Sequence, residues 1–363
     1  MTIRHKYDPD HAAAPGQLIQ EHLDHLGISG RELARRCGRS AKLIAEVISG
    51  KAAIEPETAL QLERVLEIPA VISLTMEAQY RLYLARAEED EKLASYISWA
   101  KSFPLKELSE RGHLNVSNKP AVQVRELLQF FGAGSIDACK ERFDELLTGT
   151  YRHSPSFSSD SHALAAWLRL GDIEADRLNP TDFDRAKFVQ ALKIIRTQTT
   201  EPIERFIPII TNLCAEAGVV FVLERALPKV ALSGVSRWLS PRRALIQQTL
   251  RHRSNDHFWF TFFHECAHLI LHSRKSVFLD EEGKGNAGPE LEAQANDWAA
   301  DFLVPTQEMT RFITRFTYAE EEVMRFASSL GVAPGIIVGQ LQHRKVLNYN
   351  QMNRLKVRYE WRN

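Results

Sequence analysis

The sequence predicts a mainly α-helical protein with one small α+β unit in its second half and an all-α helix-turn-helix domain at its N-terminus. Three observations carry this. Apolar residues recur at helical spacing through most of the 363 residues. A single β-branched block, 218–250, interrupts that pattern. Residues 15–68 are cut into short periodic segments by glycines. The expected division is a helix-turn-helix domain at 1–75, a helical connecting region at 76–200, an α+β domain at 201–310 and a helical C-terminal subdomain at 311–363.

The chain is 44% hydrophobic and 25% charged, which suits a soluble globular protein. It has no apolar run of transmembrane length, so no membrane partner is expected, and the N-terminus shows no signal-peptide core. Four cysteines without paired spacing read as reduced thiols, which points to the cytoplasm. Formal net charge is +0, so the molecule as a whole is no polyanion binder and charge must be read locally.

Residues 1–14 read as a frayed start. Leu18, Ile19, Leu23 and Leu26 then form an apolar stripe that stops at Gly27. Ser29 can cap a second helix that stops at Gly38, and Ser40 a third that stops at Gly50. Pro56 suits the first turn of a fourth. Short helices joined through Gly turns make a helix-turn-helix. Between Ser29 and Lys51, six Lys or Arg stand against two Glu, a local charge of about +4. Arg31, Arg35, Arg39, Lys42 and Lys51 would supply a DNA-binding footprint, and Arg39, Ser40, Ala41, Lys42 and Ala45 would face the major groove. The competing reading is a protein-binding module with a solvated basic face.

The runs Pro15-Gly-Gln-Leu-Ile-Gln-Glu, Leu26-Gly-Ile-Ser-Gly-Arg-Glu-Leu-Ala-Arg-Arg, Ile48-Ser-Gly-Lys and Pro56-Glu-Thr-Ala-Leu-Gln-Leu-Glu resemble the Xre-type helix-turn-helix, near the branch found in HigA-like antitoxins. Gly30 departs from the pattern, since many members carry Gln there. The resemblance implies a double-stranded DNA operator as partner and a homodimer on paired half-sites.

From Met76 to Thr197 the pattern is helix after helix, broken by the polar loop Tyr151–Ser161, which reads as an internal boundary. No chemistry is visible there. Ile203 to Ala217 is helical, and Gly218 to Leu223 is a β-branched strand. Ala231–Leu239 and Arg243–Leu250 alternate like neighbouring strands.

Next comes His264-Glu265-Cys-Ala-His268, an H-E-x-x-H in a segment apolar enough for a buried helix, with Asn255 or Asp256 as its N-cap. Residues four apart share a helix face, so His264 and His268 can offer nitrogens to one Zn²⁺. Glu265 can take a proton from a zinc-bound water. A third ligand is offered downstream, where Ala295, Trp298, Ala299, Phe302 and Leu303 form a stripe ended by Pro305. Glu292 lies one turn before it on the buried side, where a bare carboxylate needs a partner. Asn296, one turn further, can hydrogen-bond a ligand. Glu290 is the competing ligand, placed towards the rim. His272 reads as a hydrogen-bonding residue behind the ligands and His257 as a rim group; a role for either in stabilising an oxyanion is the sharper alternative. Residues 276–288 read as a Gly-rich loop that could gate the cleft.

The pair H-E-C-A-H and E-x-x-A-N-x-W-A-x-x-F-L-V-P resembles the signature of the ImmA/IrrE zinc metallo-endopeptidases, with Ala267 and Trp298 as mild departures. The resemblance covers roughly Pro202 to Pro305. It implies a zincin-like fold, Zn²⁺ held by His264, His268 and Glu292, and Glu265 as general base. It further implies an edge strand next to the metal helix that pairs with extended substrate, with Gly234 to Leu239 near that edge. The substrate would be a regulatory protein, a repressor or antitoxin, cleaved under stress. The expected function is thus a DNA-binding transcriptional regulator fused to a zinc endopeptidase. The rival is a HigA-like antitoxin or repressor, partnered by a cognate toxin, whose peptidase fold is only a binding or sensing platform.

In the tail, Ala327, Gly331, Ile337 and Leu341 repeat the separations of Ala34, Gly38, Ile44 and Ile48. This predicts a second helix-turn-helix-like packing unit, with a structural role favoured because Gly335 and Gly339 weaken its second helix.

Overall fold

The computed structural model describes residues 12–361, apart from 116, 148–158, 179, 273–277, 281–288 and 316–317. The expected boundary loop at 151–161 therefore lies largely outside the described residues, as do nearly all of the expected gating loop at 276–288 and the frayed start. No helix among the described residues is long and apolar enough to cross a membrane.

The chain forms two compact units: residues 1–97 with 117–125, and residues 98–116 with 126–363. The first holds α1 (Pro15–Leu26), α2 (Gly30–Cys37), α3 (Ala41–Ile48), α4 (Pro56–Leu66) and α5 (Ala70–Ala94). α5, which starts the region the sequence assigns to the connecting helices, is 25 residues long with no Gly or Pro to stop it and groups with this unit. The local signals explain the short helices. Ser29 Oγ accepts from the Glu32 amide at 3.2 Å, and Ser40 Oγ from the Leu43 amide at 3.1 Å. Gly27 and Gly38 end α1 and α2 at φ 66° and 65°, in the left-handed region. Ile19, Leu23, Leu33, Ile44, Val47, Ala59 and Leu62 form the core. At Gly16 the start of α1 presses on the end of α3, where a Cβ would stand 2.0 Å from the Ile48 carbonyl oxygen.

The second unit begins with short helices α6 (Ile97–Ala100, which straddles the division) and α7 (Leu105–Glu110), then α8 (Pro120–Phe131, shared with the first unit), α9 (Ile136–Leu147), α10 (Ser161–Arg177), α11 (Arg185–Arg196) and α12 (Ile203–Glu216). Strands β1 (Val219–Leu223), β2 (Gly234–Ser240), β3 (Arg243–Gln248) and β4 (Phe278–Asp280) form one sheet in the order β1-β3-β2-β4. β1 and β3 are parallel; β2 runs antiparallel to β3 and β4. Both faces are covered, which is why β1 is apolar at every position rather than alternating. Val219 and Phe221 join the main core, whereas Val220, Val222 and Leu245 meet Ala175 of α10. On the α10 face the buried Arg237 reaches Asp172 at 2.7 Å, and the Gln247 amide donates to the Trp167 carbonyl at 2.7 Å.

Helices α13 (Asn255–Leu271), α14 (Pro289–Leu303), α15 (Thr306–Ile313), α16 (Glu320–Leu330) and α17 (Pro334–His343) complete the unit. The main core runs without a break from Phe188 to Tyr359, so the tail packs into the same interior as the sheet. Gly331 ends α16 in the left-handed region at φ 64°, and the turn resembles that between α2 and α3. Yet α17 buries Ile336, Ile337, Val338, Leu341 and even Gln340 and Gln342. No face of it is left to enter a DNA groove. Its glycines have a packing reason: a Cβ at Gly335 would stand 2.4 Å from Asn255 Oδ1, and one at Gly339 2.6 Å from Asp256 Oδ2. They let α17 close on the start of α13.

Candidate metal centre and DNA-binding head

Helix α13 is buried almost along its length, with Phe258, Trp259, Phe262, Phe263, Cys266 and Ala267 in the core. Its N-cap is Ser254, not Asn255 or Asp256 as the sequence suggested. Asn255 has another task. Its amide donates to the Val357 carbonyl at 2.9 Å, and its Oδ1 accepts from the Val357 amide at 3.1 Å. The Tyr359 amide donates to the Arg253 carbonyl, and the Trp259 indole N–H donates to the Tyr359 hydroxyl at 3.3 Å. Lys356 reaches Asp256 at 2.6 Å. Residues 356–359 thus strap the start of the helix.

The helix places His264, Glu265 and His268 in the interior, at 2%, 0% and 1% exposure. α14 packs alongside. Its Trp298 stacks on Phe302, and Phe302 meets Phe263 at a centroid distance of 5.1 Å. That seam carries Glu292 to the two histidines: Oε2 lies 3.3 Å from His264 Nε2, and Oε1 lies 3.7 Å from His268 Nε2. The two Nε2 atoms are 2.9 Å apart. One donor atom from each of the three residues falls within 4.8 Å of the others. Among the described residues, Glu292 Oε1 is buried and accepts no hydrogen bond. Burial, with His264 and His272 beside it, pushes the His268 pKa down to about 2, so its ring is neutral. The neutral His268 ring, the His264 imidazole and a buried carboxylate oxygen together are the donor set a cation such as Zn²⁺ takes, and the residues fit it.

His272 Nδ1 is 2.9 Å from His268 Nδ1, behind the cluster. Asn296 is half-buried one turn after Glu292, and Glu290 is exposed. His257 is exposed and stacks on His252 at 4.4 Å. Burial holds the Cys266 thiol well above its ordinary pKa, which leaves it inert. Glu265 lies against β2: a Cβ at Gly234 would stand 2.9 Å from Glu265 Oε1 and 2.7 Å from Thr261 Cγ2. Only glycine there lets the carboxylate lie so close to the strand. Gly234 is a position that sequence reasoning tied to the strand alone. β2 lies next to the sheet edge rather than forming it: β4 returns after α13 and pairs with Gly234, Val235 and Ser236.

In the head, Ser40, Ala41, Lys42 and Ala45 are exposed along α3, and Arg31 and Lys51 are exposed beside it. Lys42 also lies 3.8 Å from Glu46, and Arg35, Arg36 and Arg39 are tied within the fold. Arg35 and Arg36 both bond Glu32, at 2.7 and 2.8 Å, and hold its pKa at about 2. Arg39 donates to Gln61 Oε1 at 2.7 Å and pairs with Glu57 at 2.8 Å, so it fixes α4 on α3.

Comparison with known proteins covers both parts. Residues 222–342 match the family model described as the IrrE N-terminal-like domain, Peptidase_M78. The chain is 36% identical over 75 residues to the uncharacterized HTH-type transcriptional regulator YddM of Escherichia coli (strain K12), a match covering 21% of this chain and 78% of that protein. No solved structure matches. The chain belongs to the HTH-type transcriptional regulators and carries within it a metallopeptidase-like, IrrE N-terminal-like domain.

Proposed function

We propose that this regulator binds a double-stranded DNA operator through α3, as a homodimer, and cleaves a partner regulatory protein, a repressor or antitoxin, in its second unit. The observation that carries the peptidase reading is the convergence of His264, His268 and Glu292 beside Glu265, all buried. His264, His268 and Glu292 would hold Zn²⁺, which when bound supplies Lewis acidity and charge stabilisation. Glu265, lying close to Gly234 beside Thr261, is placed to take a proton from the attacking water and return it to the leaving amine. His272 orients the His268 ring from behind. Asn296 steadies Glu292 from the next turn. In the head, Lys42, Arg31 and Lys51 meet phosphates, and Ser40, Ala41 and Ala45 face base edges, while Arg35 and Arg39 shape the surface. The protein acts in the cytoplasm.

The test begins with metal content. Purified wild type should carry about one zinc per chain, and His264→Ala and Glu292→Ala should carry none. Glu265→Gln should keep zinc and DNA binding and stop cleavage in cells, read as new protein N-termini that vanish in the variant. A chain that takes up no zinc refutes the peptidase reading. Zinc uptake with identical N-termini in wild type and Glu265→Gln would instead support a binding or sensing platform.

A further inference from the structure

One face of α11 packs inward, where Phe188, Leu192 and Ile195 join the main core. Lys187, Gln190, Ala191 and Ile194 follow one another at one-turn spacing on another face and line a groove. Leu213, Glu216 and Ala217 of α12 form its other wall. The groove holds about 400 Å³, within the range of small-molecule sites, about 300–1,000 Å³. Ala191 and Ala217 are buried and make a small apolar floor, while Ile194, 51% exposed, stands at the rim. Lys187 and Glu216 are both exposed and line this one groove with opposite charge.

The walls are fixed to each other. The Thr181 hydroxyl donates to the Glu216 carbonyl at 2.7 Å, and the Asp184 amide donates to the Ala217 carbonyl at 3.1 Å, so the start of α11 is tied to the end of α12. Gly218 follows at φ 80°, where a Cβ would stand 2.3 Å from the Phe183 backbone. The groove is therefore formed before anything enters it.

α11 is also clamped to both helices of the metal centre. At its first residue, Arg185 donates to the carbonyl of Ile270, which lies just after His268 on α13, at 3.3 Å. At its last, Arg196 donates to the carbonyl of Leu303, the end of α14, at 3.0 Å, and to the Leu330 carbonyl at 3.1 Å. A shift of α11 therefore pulls on the helix that carries the two histidines and on the helix that carries Glu292.

We infer that this groove is an effector site for a free amino acid with an apolar side chain, and that its occupation biases the metal centre through α11. A zwitterion matches both charges of the groove, whereas a ligand with one charge meets only one of them. Lys187 takes the carboxylate, Glu216 the ammonium, and the Gln190 amide bonds either group. The alanines, Leu213 and Ile194 take the apolar side chain. The groove itself stands on α11 and α12 alone; the link to zinc rests on the reading of the metal centre.

The test is calorimetric titration of the full chain with L-leucine, with 4-methylpentanoate, which lacks its amine, and with 3-methylbutylamine, which lacks its carboxylate. Leucine should bind about fivefold tighter than either, the size expected of one exposed charge contact. Glu216→Gln should weaken leucine about fivefold and leave 4-methylpentanoate unchanged. Lys187→Met should weaken leucine equally and leave 3-methylbutylamine unchanged. A folding defect does not produce that crossed pattern. Ala186→Trp, at an exposed position that lines the groove, should abolish binding of all three. Saturating leucine should change zinc affinity about fivefold or more, and zinc should change leucine affinity by the same factor. Equal binding of leucine and its fragments, or no binding, overturns the site. Loss of self-association in Ala186→Trp without any ligand binding makes the groove a contact between copies and also overturns it. Leucine binding that leaves zinc affinity unchanged overturns the effector role. The crossed pattern in a chain that takes up no zinc supports the groove and refutes the metal centre.

Discussion

Replacing Lys356 by Met tests whether the strap holds the metal helix. The side chains of Lys356 and Asp256 are 13% and 8% exposed, and they meet at 2.6 Å. Removing the lysine leaves Asp256 charged and enclosed, with Oδ1 already lacking a hydrogen bond. Losing one partner of a buried pair costs roughly 3–5 kcal/mol. The carboxylate sits in the first turn of α13, where the helix dipole returns about 0.5–1 kcal/mol. The expected net loss is therefore about 2–4 kcal/mol. In a unit of this size each kcal/mol shifts Tm by about 2–4 °C, so the second unit should melt about 4–16 °C lower. Calorimetry on the full chain reads this. Lys356→Met with Asp256→Asn should recover most of the loss, since no bare charge remains. A loss below about 1 kcal/mol, or a double variant no better than the single one, refutes the account of the strap.

Gly234→Ala should keep zinc, since the three atoms nearest the new methyl belong to Thr261 and Glu265 rather than to a ligand, yet slow cleavage roughly a hundredfold, because Glu265 must move by a good part of an ångström; metal analysis beside kcat/KM decides. Gly16→Ala drives a Cβ into the Ile48 carbonyl and should destabilise the head by about 1–3 kcal/mol in a urea melt. Lys42→Ala should lower the salt slope of operator binding by about one, whereas Arg39→Ala should also lower the stability of the head, because it loses Gln61 and Glu57. The metal-free protein should weaken as pH falls. His268 is held neutral when folded, with its pKa down at about 2, while the unfolded ring titrates near about 6.5. Its contribution is complete above about 6.5 and is lost progressively below it, by up to about 1.4 kcal/mol per pH unit. Denaturant melts at descending pH should show that slope, and His268→Gln should flatten it.

The readable parts of this chain were the local ones. His264 and His268 sit four apart on one helix, and Ser29, Ser40, Gly27 and Gly38 announce the ends of α1 to α3 within a few residues. Glu292 was legible because its stripe of Ala295, Trp298 and Phe302 left it on the buried side. What escaped was set by partners far along the chain. Arg39 reads as a groove contact until Gln61, 22 residues on, takes its guanidinium. Asn255 reads as a cap until Val357, 102 residues on, claims its side chain. Gly335 and Gly339 read as weak points in a helix, yet they are where α17 meets Asn255 and Asp256. β4 carries no strand signal of its own, and its three residues follow from pairing with β2.

The strap has a consequence for how the protein is made. Domains fold in the order they leave the ribosome, so the head can be complete while the second unit is still being translated. The residues that hold the start of α13 come about a hundred positions after it, at Lys356, Val357 and Tyr359. A nascent chain therefore exposes its H-E-x-x-H long before the helix is secured. A ribosome stalled anywhere between Pro305 and Lys356 would display a finished head on an unfinished second unit.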